Sequence, residues 1–230
     1  ILENTAQEPE VVDLCDMLVT LGAKIQGSGT ARLVIDGVDK LTGGEHTIMP
    51  DRIEVGTYLV AGAMTYGDVT VNQCIPIHQE ATIEALLETG CGVEVGEDFV
   101  RVYPKAKKLK AIDIKTQPYP KFATDMQAQF MALATVADGK STIIETIFEN
   151  RFMHANELSR MGANIRIEDH MAIITGIDKL SGAEVSATDL RASAALILAG
   201  LVAEGTTTMD QIYHLDRGYD RMESKLQAVG

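Results

Sequence analysis

A basic surface is what this 230-residue sequence most plainly lacks: 33 Asp and Glu outweigh 20 Lys and Arg, giving a formal charge of -13 and a pI near 4.8. Such a surface repels polyphosphate backbones and excludes non-specific nucleic-acid binding, although a local arginine cluster can still hold a small phosphorylated molecule. Long apolar runs are missing too. None reaches the ~18 uncharged residues of a bilayer-spanning helix, so no membrane span is expected. Cysteine is scarce, and Cys15, Cys74 and Cys91 form no close pair, which reads as buried free thiols in a reducing, cytoplasmic compartment. The histidines at 46, 78, 154, 170 and 214 are scattered without ligand spacing, so no metal site is expected. There is no P-loop and no dinucleotide fingerprint; Gly27-Ser28-Gly29 reads as a turn, and no cofactor is implied. The start, which has neither Met nor a basic leader, reads as the interior of a longer protein rather than a signal peptide.

What the sequence does have is repetition. A chain of this length can bury one substantial core or two small ones. Pro9 opens a helix with Val11, Val12, Leu14, Cys15, Leu18 and Val19 on its apolar face, and Gly22 closes it. Gly22, Gly90, Gly162 and Gly230 each end an amphipathic helix, at intervals of 68, 72 and 68 residues. Asp51, Asp125 and Asp189 each open an Ala- and Leu-rich helix that stops at Gly67, Gly139 or Gly205, 16, 14 and 16 residues later, before a β-branched strand. Each unit therefore reads as inner helix, strand, polar crossover, outer helix, glycine and strand pair. The nearly all-apolar helices belong inside, and those such as 80–88, with Glu80, Glu84 and Glu88 opposite Ala81, Ile83, Leu86 and Leu87, belong outside. By this count residues 1–45 hold half a unit and residues 46–230 hold three units, the last cut short, with residues 46–50 crossing between two domains.

The middle unit carries the polar groups that a core does not need. A buried helix is expected from Asp125 to Ala137 with Thr124 as N-cap, then a strand at Thr142, Ile143 and Ile144 and a second helix from near Asn156. Asp125 has two readings: a helix-end carboxylate like Asp51 and Asp189, or a proton-transfer group aimed by the Pro-stiffened loop from Gln117 to Phe122. Arg52, Arg151, Arg191 and Arg217 all fall at unit junctions, where they serve as structural ion pairs or as a set for a phosphorylated or carboxylated ligand, since guanidinium presents paired planar donors. Phe148 and Phe152 flank Arg151 as core plugs or as a cleft edge. The lysine run 105–110 reads as a solvated turn, and Asp216 to Arg221 as a charged turn into the last helix.

Several longer strings go further. Leu41 to Glu54, Thr124 to Phe130, Phe148 to His154, Ala187 to Ser193 and Tyr213 to Tyr219 closely resemble the C-terminal portion of the UDP-N-acetylglucosamine enolpyruvyl transferases, in order and across essentially the whole chain. The resemblance implies an α/β fold, an inside-out barrel-like enolpyruvyl transferase fold of two similar domains with the active site between them. It implies a transferase that moves the enolpyruvyl group of phosphoenolpyruvate to the 3-hydroxyl of UDP-N-acetylglucosamine and releases phosphate, the first committed step of peptidoglycan synthesis. By the same resemblance Asp125 takes the sugar proton and contacts the sugar, and Arg191 and Arg217 hold phosphoenolpyruvate, with Arg217 catalytic as well. Ile147, Phe148 and Arg151 contact the nucleotide sugar, and Asp51 and Arg52 lie in the interdomain segment. The family's Cys-bearing loop and its early Lys-Asn pair match nothing here, so the missing N-terminal portion of the same chain is an expected partner. Ala123 stands where many relatives have Pro. The related shikimate-pathway transferase shares the fold, but its motifs fit poorly. The competing expectation is a non-catalytic nucleotide-sugar-binding module or scaffold.

Overall fold

A computed structural model describes all of Ile1–Gly230. Strand β1 (Leu2–Glu3), helix α1 (Pro9–Thr20), β2 (Lys24–Gln26) and β3 (Arg32–Asp36) come first, forming an antiparallel sheet of order β1-β3-β2. Next come α2 (Arg52–Met64), β4 (Val69–Asn72), α3 (Glu80–Glu88), β5 (Gly92–Val95) and β6 (Phe99–Tyr103), with sheet order β4-β6-β5. The middle unit is β7 (Asp113–Lys115), a 3-10 turn at Thr124–Met126 running into α4 (Gln127–Val136), β8 (Lys140–Ile144), α5 (Met153–Arg160), β9 (Asn164–Glu168) and β10 (Met171–Thr175). Its sheet, β7-β8-β10-β9, is antiparallel except that β7 runs parallel to β8. Then follow β11 (Leu180–Ser181), β12 (Glu184–Ser186), α6 (Leu190–Val202), β13 (Ala203–Glu204), β14 (Thr208–Asp210), a 3-10 segment Ile212–Arg217 and α7 (Met222–Val229). Here the pairings β11-β13 and β12-β14 are parallel. No helix is long and apolar enough to cross a membrane.

The repeat is physical. Helices α2, α4 and α6 pack on one another in the interior, and in α4 every residue from Gln127 to Thr135 is buried. Alternation along the strands supplies the other side of the core: Val100 and Val102 of β6 and Ala172 and Ile174 of β10 point inward, their neighbours outward. The amphipathic α3, α5 and α7 cover the outside. Past each outer helix the chain enters the left-handed region, at φ +97° for Gly22, +91° for Gly90 and +91° for Gly162. A β-carbon is disfavoured there, which is why glycine recurs at this interval.

Several expectations shift. The second helix of the middle unit starts at Met153, not near Asn156, because Phe152 plugs the core and its carbonyl already accepts the Ala155 N–H. Inner helix α2 ends with Tyr66, not Gly67, in the left-handed conformation (φ +53°). On α1 only Pro9 and Cys15 are buried, and Leu14, Met17 and Val19 face outward. The contiguous core of 43 buried residues begins at Ile53 and contains nothing from residues 1–45.

The glycine argument is testable at Gly162, where an added methyl meets no atom within 4 Å, so that the left-handed backbone alone resists it. Gly162→Ala is expected to lower stability by ~1–2 kcal/mol, read as a reduced urea midpoint at unchanged slope.

Candidate active site

The N-terminal ends of α2, α4 and α6 lie along one side of the molecule, where they border the same cleft. Unsatisfied N–H groups and aligned peptide dipoles make such ends attractive to anions. Two of the three are capped by their own carboxylates: Asp51 accepts from the Ile53 and Glu54 amides, and Asp189 from the Arg191 and Ala192 amides. The third is not. Counting 16 residues back from Gly139, as from Gly67 and Gly205, lands on Ala123, and Ala123 is the uncapped residue that precedes the 3-10 turn. Asp125 therefore corresponds in the repeat to Ile53 and Arg191, not to Asp51 and Asp189, which corrects the helix-end reading. Thr124 does not cap either, because its hydroxyl is donated to Glu145 Oε2 at 2.8 Å.

Freed from capping, the Asp125 carboxylate is bound from both sides. Arg151 Nη2 donates to Oδ1 at 2.7 Å, and Arg191 donates to Oδ2 through Nη2 at 3.0 Å and Nε at 3.2 Å. Burial pushes the carboxyl up, but the Arg191 and Arg151 guanidiniums outweigh it and hold Asp125 below the ordinary carboxylate range. Arg151 also lies over the Phe148 ring, 4.6 Å from its centre. Phe148 thus forms the cleft edge, while Phe152 is the core plug. Arg191 is backed by Tyr219, a fully buried phenol whose hydroxyl meets Thr57 Oγ1 at 2.9 Å.

Asp125 and Arg191 line a cavity of about 930 Å³ together with Ile147, Phe148, Asp51, Arg52 and the segment from Asn4 to Glu8. Arg217 lies beside it, in a smaller cavity of about 300 Å³ lined also by Asp125, Asn150, Arg151 and Arg191. Its guanidinium is exposed and makes no ion pair. Asp51 and Arg52 line the same cavity without bonding to Asp125; Arg52 donates to Glu10 Oε1 at 2.7 Å and lies over Tyr119. Asp13 accepts from the Met49 amide and contacts His46 Nε2 at 3.1 Å, tying the crossing segment to α1. No three His, Cys, Asp or Glu side chains converge closely enough to hold a metal ion.

Three groups escaped the sequence reading: Glu145, Tyr219 and the wall from Asn4 to Glu8. Only Glu145 carried a signal. It continues the alternation Ser141, Ile143, Glu145 along β8, which puts a carboxylate on the buried face.

Behind the site His154 is buried, and desolvation pushes its pKa down to about 4; Asp189 opposes the shift and Arg151 adds to it. Imidazole is therefore neutral in the folded chain while the unfolded chain takes up a proton near pH 6.5. Stability is expected to fall as pH drops from about 6.5 towards 4, and His154→Gln to blunt that loss in urea melts across this range.

A family model described as EPSP synthase (3-phosphoshikimate 1-carboxyvinyltransferase) matches residues 1–226. A UDP-N-acetylglucosamine 1-carboxyvinyltransferase of Xylella fastidiosa (strain 9a5c) is 56% identical over all 230 residues, and the chain spans 54% of its length, about half. Among solved structures, the enolpyruvyl transferase NikO from Streptomyces tendae superposes with a TM-score of 0.87 at 30% identity, covering 100% of this chain and 55% of that one. The EPSP synthase from Acinetobacter baumannii gives 0.71 at 18% identity over 93% of this chain and 53% of its own, a likeness of fold alone.

Proposed function

Because the chain belongs to the EPSP synthase family of enolpyruvyl transferases, we propose that it is the larger share of a UDP-N-acetylglucosamine 1-carboxyvinyltransferase. The reaction joins the sugar 3-hydroxyl oxygen to the phosphate-bearing carbon of phosphoenolpyruvate. The methylene gains a proton in the addition and loses one in the elimination that expels phosphate. The observation that carries this reading is the Asp125 carboxylate held between two arginines at the edge of a cavity large enough for a nucleotide sugar. The 56% identity to a nucleotide-sugar transferase, against 18% to the EPSP synthase structure, favours UDP-N-acetylglucosamine over a shikimate-type acceptor.

The resting ion pairs suggest an order of events. While Arg151 and Arg191 are bound to Asp125, the carboxylate is a weak base. A phosphate and a carboxylate entering beside Arg217 compete for the same guanidinium forks. As Arg191 turns to the incoming anion, Asp125 loses a positive neighbour and becomes a better acceptor for the sugar proton. Arg217, uncommitted in the resting protein, completes the anion clamp. Ile147, Phe148 and Arg151 serve the nucleotide sugar, and Asp51 and Arg52 the closure of the cleft.

We assign residues 1–45 to the end of a first domain and residues 46–230 to a second. The support is that the main core excludes the first stretch, whose α1 leaves Leu14, Met17 and Val19 uncovered. In this reading further sequence of the same protein covers that face and supplies the rest of the site. The role belongs to cell-wall biogenesis, with consequences for cell shape and division, and its substrates place it in the cytoplasm.

The full-length protein, given phosphoenolpyruvate, is expected to release phosphate only when UDP-N-acetylglucosamine is present. Asp125→Ala is expected to lower that turnover by at least about 100-fold, together with a lower melting temperature because Arg151 and Arg191 lose their shared partner. Release that ignores the nucleotide sugar would sink the assignment. Calorimetric titration of the 230-residue chain with UDP-N-acetylglucosamine separates a binding module from a scaffold.

A further inference from the structure

Glu145 is the most fully bonded polar side chain near the cleft that the proposed reaction does not use. It sits just past the end of β8 with 1% of its surface exposed. Four donors converge on it. Oε1 accepts from Thr116 Oγ1 at 2.8 Å, from the Ile147 amide at 2.8 Å and from the Phe148 amide at 3.2 Å, and Oε2 accepts from Thr124 Oγ1 at 2.8 Å. Thr124 Oγ1 in turn accepts from Arg151 Nη1 at 2.9 Å, while Nη2 of the same guanidinium holds Asp125. The order of donors is forced. A guanidinium can only donate and an ionised carboxylate only accept, so the single hydroxyl proton of Thr124 must point at Glu145 and its lone pair at Arg151. One buried carboxylate thereby fixes two parts of the site: the backbone at Ile147 and Phe148 through Oε1, and the Arg151 fork that orients Asp125 through Oε2.

We propose that Glu145 is a positioning residue for the enolpyruvyl transfer, acting through Thr124 and Arg151 on the Asp125 carboxylate, and separately on the nucleotide-sugar wall. The inference rests on the proposed reading of Asp125 as the proton acceptor. A structural carboxylate that only closed the β7 and β8 strand ends would need Thr116 and the two amides. It would have no need of Thr124, whose hydroxyl leads away from the strands to the site. The arm through Thr124 is thus the part that separates positioning from scaffolding. A displacement of ~1 Å in a reacting group can cost about 100-fold in rate, so a hydrogen bond two steps removed is enough to matter.

The test uses the full-length protein and three variants. Thr124→Val keeps the shape and removes the hydroxyl. Thr124→Ser restores it. Glu145→Gln keeps an acceptor for Thr116 and the two amides but turns a donor towards Thr124, leaving the hydroxyl proton unpaired. The expected result is a kcat at least about tenfold lower in Thr124→Val and in Glu145→Gln, with KM for UDP-N-acetylglucosamine within about twofold of wild type and full recovery in Thr124→Ser. An NMR titration of the Asp125 carboxyl reads the same coupling without turnover: it should titrate higher in Thr124→Val than in wild type and unchanged in Thr124→Ser. A Thr124→Val protein with wild-type kcat and an unmoved Asp125 titration would overturn the proposal while leaving the proposed reaction standing. A wild-type protein without nucleotide-sugar-dependent phosphate release would instead overturn the reaction, and the Asp125 titration would still decide whether Glu145 positions that carboxylate. Loss of kcat accompanied by a matching loss of melting temperature, not recovered by Thr124→Ser, would reduce Glu145 to a structural group.

Discussion

The Asp125 carboxylate between the Arg151 and Arg191 guanidiniums is the contact through which the site's separate elements meet. Arg151 comes from the loop after β8, in the same unit as Asp125, and Arg191 from the first turn of α6 in the next unit. Three charges from three chain positions meet only if α4 and α6 lie side by side with their N-termini level. The all-round burial of those helices enforces that placement. The dependence also runs the other way. Arginines left half-buried without a partner would carry a desolvation cost, so the carboxylate keeps them in place until an anion replaces it. If Asp125 acts as proposed, a resting site stabilised by the group that performs the chemistry resists both collapse and premature reaction.

The same contact shows how a repeated fold makes an asymmetric site. Symmetry alone would give three capped helix ends. Asp51 and Asp189 follow that rule, and each spends its carboxylate on backbone amides of its own helix. Ala123 breaks it. With no side-chain oxygen at the cap, the middle helix begins as a 3-10 turn, and its first-turn carboxylate is left to face the cleft. The repeat position that is an apolar Ile53 in one unit carries opposite charges, Asp125 and Arg191, in the next two. Their pairing is therefore a contact between equivalent positions of adjacent units. A local loss of capping energy, ~1 kcal/mol by the usual measure, is the cost of a free carboxylate at the positive end of a helix.

Much of the architecture was legible in the sequence, and the reasons are specific. Glycines at 22, 90 and 162 mark backbone conformations that other residues avoid, so their interval exposes the unit length without any knowledge of the fold. The β-branched run Thr142, Ile143 and Ile144 found β8, and the all-apolar character of α4 found the interior. The site was less legible, because its geometry depends on which side chain is spent on what. Counting from Asp125 rather than from the helix end equated it with two capping residues, and Thr124 looked like a cap because threonine often is one. Tyr219 sits in a stretch that reads as a charged turn and is in fact anchored in the core by Thr57. The outward face of α1 shows the opposite failure: its amphipathic pattern is real, but within Ile1–Gly230 Leu14, Met17 and Val19 stay exposed.

The proposed binding of a multiply anionic ligand by an acidic protein presents an electrostatic problem, and the range of each field resolves it. The formal charge of -13 is spread over the surface, and at physiological ionic strength such charges act over about 8 Å before salt screens them. They keep polyanions such as nucleic acid from adhering. Inside the cleft the relevant distances are a few ångströms and the surroundings are partly desolvated, so guanidiniums and helix ends act at close to full strength. In the resting state Arg151 and Arg191 are neutralised in part by Asp125, leaving Arg217 as the uncompensated charge of that cluster. An incoming anion therefore meets one free arginine first and gains the other two only by taking them from Asp125. In the proposed mechanism selectivity follows from this exchange: a ligand with a single weak anionic group engages Arg217 alone, whereas one carrying both a phosphate and a carboxylate holds Arg217 and also displaces Asp125 from Arg191, which raises the basicity of the carboxylate.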